Sequence, residues 1–83
     1  MELMDTIELM NSDDYKERFI AEYNQVNIRY KKLHQVISKY EAGDLEFAPD
    51  CPLKLLKRQA SAMCEYLTVL DKRAEIEGID LSV

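Results

Sequence analysis

At 83 residues, with eleven basic and sixteen acidic side chains and a net charge of −5, the chain has room for one domain. It is too acidic for general DNA binding, which draws on an overall basic domain or a long basic stripe. A chain this short buries a small share of its surface and relies on disulfides, a metal or self-association. The two cysteines, Cys51 and Cys64, stand thirteen residues apart. Along one helix that is roughly 20 Å, against the roughly 7 Å between Cα atoms that a disulfide tolerates. Two free thiols suit a reducing cytosol. His34 is the single histidine, and no CxxC or HxxxH spacing occurs, so neither a metal nor another cofactor is expected. Self-association is what remains.

In chain order, the opening Met1-Glu-Leu-Met-Asp5 carries acidic residues where a signal peptide is basic, and no apolar run approaches membrane-spanning length. The expectation is a protein that is neither secreted nor in a membrane. Residues 1–12 place Leu3, Ile7 and Met10 at helical spacing, which predicts a short amphipathic segment packed on the rest of the chain or on a neighbour. The first long helix is predicted over about 13–42. Asn11 or Ser12 can cap it, and Asp13, Asp14 and Glu17 set negative charge against the positive end of its dipole. Its apolar positions Phe19, Tyr23, Val26, Tyr30, Leu33, Ile37 and Tyr40 are spaced 4, 3, 4, 3, 4, 3, an unbroken heptad seam.

Gly43 follows this pattern where a C′ glycine sits, and residues 43–52 read as a loop. Pro52 fits the first turn of a second helix over about 53–77, which Gly78 closes. Leu56, Ala60, Met63, Leu67, Leu70 and Ala74 repeat the 4, 3 spacing. A second row, Leu55, Ala62, Val69 and Ile76, and a mostly polar third, Gln59, Tyr66 and Arg73, recur every seven residues. The reading is all-α: a short N-terminal helix, then an antiparallel hairpin over 13–78, then a tail, 79–83, that docks or frays. One partner helix covers one seam. The second row, with Ile20, Ile28 and Val36 on the first helix, is apolar surface left over, and this argues for a symmetric oligomer.

Charge is sorted along the hairpin. No acidic residue lies between Glu22 and Glu41, or between Asp50 and Glu65. Those stretches hold Arg29, Lys31, Lys32, His34 and Lys39, then Lys54, Lys57 and Arg58, and an antiparallel return stacks them in the loop-side half. Such a belt suits a compact anion such as a phosphate or nucleotide. It suits equally a solvated face whose charges pair between symmetry-related subunits. Of the five tyrosines, Tyr23, Tyr30 and Tyr40 read as seam residues, whereas Tyr15 precedes the seam and is the better candidate to stack on a base. His34 has no carboxylate three or four residues away, and Cys64 reads as a small core residue. With no Gly-rich phosphate loop and no GxSxG, a binder rather than an enzyme is expected.

Two stretches carry a resemblance. Tyr23 to Ile37 reads Y-x-x-x-x-x-R-Y-K-K-L-x-x-V-I, and the second helix reads L-L-x-x-Q-x-x-A-M-x-x-Y-L-x-x-L-x-x-R-A from Leu55 to Ala74. Over about residues 13–78 the chain resembles small phage helical-hairpin proteins related to the anti-CBASS and anti-Thoeris cyclic-nucleotide sponges. It also resembles short hairpin proteins of crAss-like phages and Firmicutes prophages. The resemblance implies a homo-oligomer, often a hexamer, in the cytoplasm of an infected bacterium. It implies binding of a cyclic nucleotide immune messenger without cleavage. By position it implies an aromatic stack at Tyr15, phosphate contacts from Lys31 or Lys32 with Arg29 nearby, and a basic contact at Arg73. The alternatives are a prophage module that binds or inhibits a host protein, and a purely structural coiled-coil oligomer.

Overall fold

Glycine and proline punctuation sets the ends of the two long helices. In a computed structural model describing residues 1–82, a 3₁₀ turn, Leu3–Thr6, runs into α1 (Ile7–Met10). α2 (Tyr15–Ala42) and α3 (Leu53–Glu77) follow. There is no strand among the described residues, so the chain is all-α. The cap of α2 is Asp14, not Asn11 or Ser12: its carboxylate accepts from the Lys16 N–H at 2.9 Å. Ser12 acts one step earlier, accepting from the Asp14 N–H at 3.0 Å. Asp14 wins because it alone has extended backbone directly before the first helical residue. Gly43 (φ 75°) and Gly78 (φ 69°) end the two helices in the left-handed region, where a side chain would meet its own carbonyl. Pro52 itself forms the N-cap of α3.

Side-chain pairs between α2 and α3 run in reverse order. Tyr15 meets Glu77, Glu22 meets Tyr66, and Glu41 meets Lys57, so the helices lie side by side with opposite directions. The two seams face one another. Phe19, Ile37, Leu67, Leu70 and Ala74 are buried, and Tyr23, Val26, Tyr30, Leu33, Leu56, Ala60 and Met63 are half-buried. The dense part lies near the termini, where Phe19, Leu70, Ala74 and Ile79 pack together with Ile20, Tyr23 and Leu81 around them. Ile79 thus docks the tail; its N–H donates to the Ala74 carbonyl at 2.8 Å. Toward the loop a shallow cleft lies between Tyr30, His34, Ile37 and Glu41 on one side and Lys57, Ala60, Ser61 and Cys64 on the other.

Three seam and core expectations are corrected. Tyr40 is 40% exposed, in the last turn of α2, which ends at Ala42. Cys64 is exposed, so it is not a core residue; it sits one position beyond the seam residue Met63 and borders the cleft. In the N-terminal segment, Ile7 and Met10 are 50% and 42% exposed, while Thr6 is fully buried against α2. The 3₁₀ turn causes this: three residues per turn rotate the inward face onto Leu3, Thr6 and Leu9. The Thr6 hydroxyl donates to the Leu3 carbonyl at 2.7 Å and accepts from the Gln25 amide at 3.1 Å, so its burial leaves no polar atom unpaired. No helix among the described residues is long and apolar enough to cross a membrane.

Candidate functional site

Four of the five residues singled out from sequence fall into two groups on one rod, and Arg29 joins neither. Tyr15 and Arg73 meet at the end near the termini. The Tyr15 hydroxyl donates to Glu77 Oε1 at 2.8 Å and accepts from Arg73 Nη2 at 2.8 Å. Arg73 Nε donates to Glu77 Oε2 at 3.2 Å. The Arg73 guanidinium also lies over the Phe19 ring, 5.1 Å from its centroid, and Tyr15 stands edge-on to the same ring at 6.2 Å. The hydrogen bond to Glu77 holds the Tyr15 phenol above its usual pKa, and the Glu77 carboxyl is held below its own by the same bond and by Arg73. Arg73 has its charge reinforced by Glu77. Tyr15 remains 46% exposed.

Lys31 and Lys32 lie elsewhere. They sit about 24 Å further along α2 from Tyr15, at 1.5 Å per residue. There they border a groove of about 330 Å³ where the N-terminal residues Met1 and Glu2 meet α2. Its lining also includes Ile28 and the amide residues Asn24, Asn27 and Gln35. Positions 24, 28, 31 and 35 share one face because they are spaced three or four apart. Neither lysine makes an ion pair among the described residues. The two ammonium groups and the three amides can donate to phosphate oxygens, and the amides can also accept from a nucleobase edge, though Asn24 already donates one N–H to the Ile20 carbonyl at 2.8 Å. The Glu2 carboxylate on the rim competes with an incoming anion for the lysines.

Arg29 does not join this groove. At 100° per residue it lies about 200° around the helix from Lys31, exposed on another side. Arg29 thus neighbours Lys32, three positions on, but stands apart from Lys31 and is not among the residues that line the groove. Asn24, Asn27 and Gln35 were not read from sequence as site residues. Their signal was present: a stripe of amides at helical spacing through Lys31. Of the remaining belt, Lys57 pairs with Glu41 at 3.1 Å on the surface. His34 rests against the Tyr30 ring, 6.0 Å between centroids. Among the described residues no three His, Cys, Asp or Glu side chains stand close enough to hold a metal ion.

No curated protein and no solved structure matches the chain. A family model described as Sequestin matches residues 13–76, all of α2 and α3 except the last residue of α3. With the match covering both long helices, the basic groove of α2 and the Tyr15–Arg73 cluster, the chain belongs to the Sequestin family.

Proposed function

We propose that the protein is a phage-encoded anti-defence sponge. It binds a cyclic nucleotide immune messenger in the cytoplasm of the infected bacterium, holds it without cleaving it, and does so as a homo-oligomer. The observation that carries this reading is the groove of α2. Lys31 and Lys32, unpaired among the described residues, stand beside the Asn24, Asn27 and Gln35 amides and the apolar Ile28. That set matches the chemistry of a cyclic nucleotide, which presents phosphate charge, hydrogen-bonding base edges and flat base faces together. Family membership supports it, since the family name, Sequestin, suggests sequestration. The Tyr15–Arg73 cluster supplies a second aromatic and cationic surface. Because it lies some 24 Å from Lys31 within one chain, it acts on the same ligand only when a neighbouring copy presents it. Sequestration needs no reacting group, and no step of bond cleavage is assigned to any residue.

The test is calorimetric titration with cyclic di- and trinucleotides and cyclic ADP-ribose isomers, followed by denaturation and mass analysis of the released ligand. The expected result is tight binding of at least one compound and its recovery intact. Charged hydrogen bonds contribute about 1.5–3 kcal/mol each, so Lys31→Glu with Lys32→Glu weakens binding at least tenfold at unchanged helicity. Binding by none of these compounds, or release of a cleaved product, overturns the proposal. The exposed apolar row of α3 favours a second reading, a module that binds or inhibits a host protein. Recovery of one stoichiometric host partner by protein that binds no nucleotide would establish it.

A further inference from the structure

The second apolar row of α3 faces away from α2 and is left bare. Leu55 is 49% exposed, Val69 45% and Ile76 86%, with Ala62 also exposed between them and Tyr66 43% exposed beside them. Seven-residue spacing draws these side chains into one stripe along the whole helix. The molecule as a whole is short of cover. Its surface is 6099 Å², where a compact monomer of this mass exposes about 5100 Å². The difference, roughly 1000 Å², is comparable with the ~800 Å² that each partner contributes to a standard interface.

Charge says what covers the stripe and in which direction. Residues 29–64, the loop-side half, hold seven basic and four acidic side chains, a net +3. The remainder hold four basic and twelve acidic, a net −8. The rod is 43 Å long, several times the ~8 Å screening length at physiological salt, so each half acts on what lies directly beside it. Two copies side by side in the same direction set −8 against −8. In opposite directions each positive half meets a negative one.

We propose that the outer face of α3 is the contact between two copies of this chain, packed antiparallel about a two-fold axis close to Glu65 and Tyr66. This rests on the self-association proposed above and not on the identity of the ligand. Leu55 then lies opposite Ile76 of the second copy and Ala62 opposite its Val69. Lys54 comes level with Glu77 of the second copy, at the acidic end that also carries Glu75, while Lys57 stays paired with its own Glu41. Glu65 falls beside its own symmetry copy, the one like-charge contact near the centre.

Cross-linking in chains with Cys51→Ser and Cys64→Ser tests the direction. An equal mixture of Ala62→Cys and Val69→Cys chains is expected to form disulfide-linked heterodimers, while each variant alone does not. Ile76→Glu is expected to weaken assembly at least tenfold in sedimentation, and Glu65→Gln to strengthen it. Raising salt should loosen the complex. Ala62→Cys chains that cross-link to themselves overturn the antiparallel arrangement. A stable oligomer that survives Ile76→Glu and gives no cross-link places the contact on another face. A wild-type monomer at all concentrations overturns self-association itself, and leaves the ligand reading to its own test.

Discussion

Arg73 is the most connected side chain of the molecule. It bonds to Glu77 one turn on and to Tyr15 across the helix pair, and it covers the Phe19 ring. This arrangement has a pH signature. Glu77 has its pKa held below the ordinary 4.5, first by the Tyr15 hydrogen bond. Its contribution to stability is complete above the unfolded value and is lost as pH falls through the depressed folded one. Tyr15 is shifted upward from 10.0, so its contribution is complete below 10.0 and lost as pH rises through the folded value. Glu77→Gln is expected to move Tyr15 ionisation back toward 10.0 in an ultraviolet titration, and to reduce the difference in denaturation midpoint between pH 3 and pH 7. Tyr23 serves as the internal reference: its phenol is raised by burial and by Asp71, so it should not respond to the substitution. Little of this cluster was legible beforehand. The Arg73–Glu77 spacing of four is a plain helical pair. The Tyr15 contact crosses 62 residues and depends on the register between helices, which no local pattern fixes. Thr6 was hidden for another reason: a polar residue is buried by a 3₁₀ turn that shifts the face which α-helical spacing points to.

At the scale of the element, both long helices were readable almost to the residue, because three independent signals agree on each. Heptad apolar spacing, an acidic first turn or a leading proline, and a closing glycine all mark the same boundaries. The C-terminal end of α3 shows how such a signal becomes stability. Gly78 turns the chain left-handed so that Ile79 falls back onto Phe19, Leu70 and Ala74. Nothing stands within 4 Å of where a Gly78 side chain would be, so only the backbone resists one. Gly78→Ala should therefore cost about 1–2 kcal/mol, the strain of a left-handed residue with a Cβ. Ile79→Ala removes buried core as well and should cost about 2–4 kcal/mol, with Leu70→Ala in the same range. Urea denaturation followed by circular dichroism measures all three. Gly43→Ala is the comparison. It carries the same backbone strain at a loop that docks no buried residue, so any excess loss at Gly78 reports the docking of the tail rather than the turn itself.

The whole molecule is asymmetric in two properties that run in opposite senses along its length. Packing is concentrated near the termini, where Phe19, Leu70, Ala74 and Ile79 close on one another and the N-terminal turn adds Thr6. Positive charge is concentrated toward the loop, where Ile37 is the one buried side chain and the cleft beside Cys64 stands open. A radius of gyration of 15.0 Å, against about 12 Å for a compact chain of this length, belongs to such an extended, thinly packed rod. Local opening follows local burial. Backbone amides of residues 19–27 and 66–77 are therefore expected to exchange with solvent slowly and together, while those of 36–42 and 53–60 exchange faster, as a separate group. The basic belt thus lies partly on the part of the fold that is least held. Lys31 and Lys32 stand at the boundary between the two regions. A ligand that spans them should slow exchange well beyond its own contacts, by joining the loop-side half to the packed end. Hydrogen exchange read by mass spectrometry, with and without the cyclic nucleotide proposed above, checks both parts. Uniform exchange along the hairpin in the free protein would show that packing and charge are not divided as the structure divides them. Protection confined to the groove would show that the ligand rests on the rod without stiffening it.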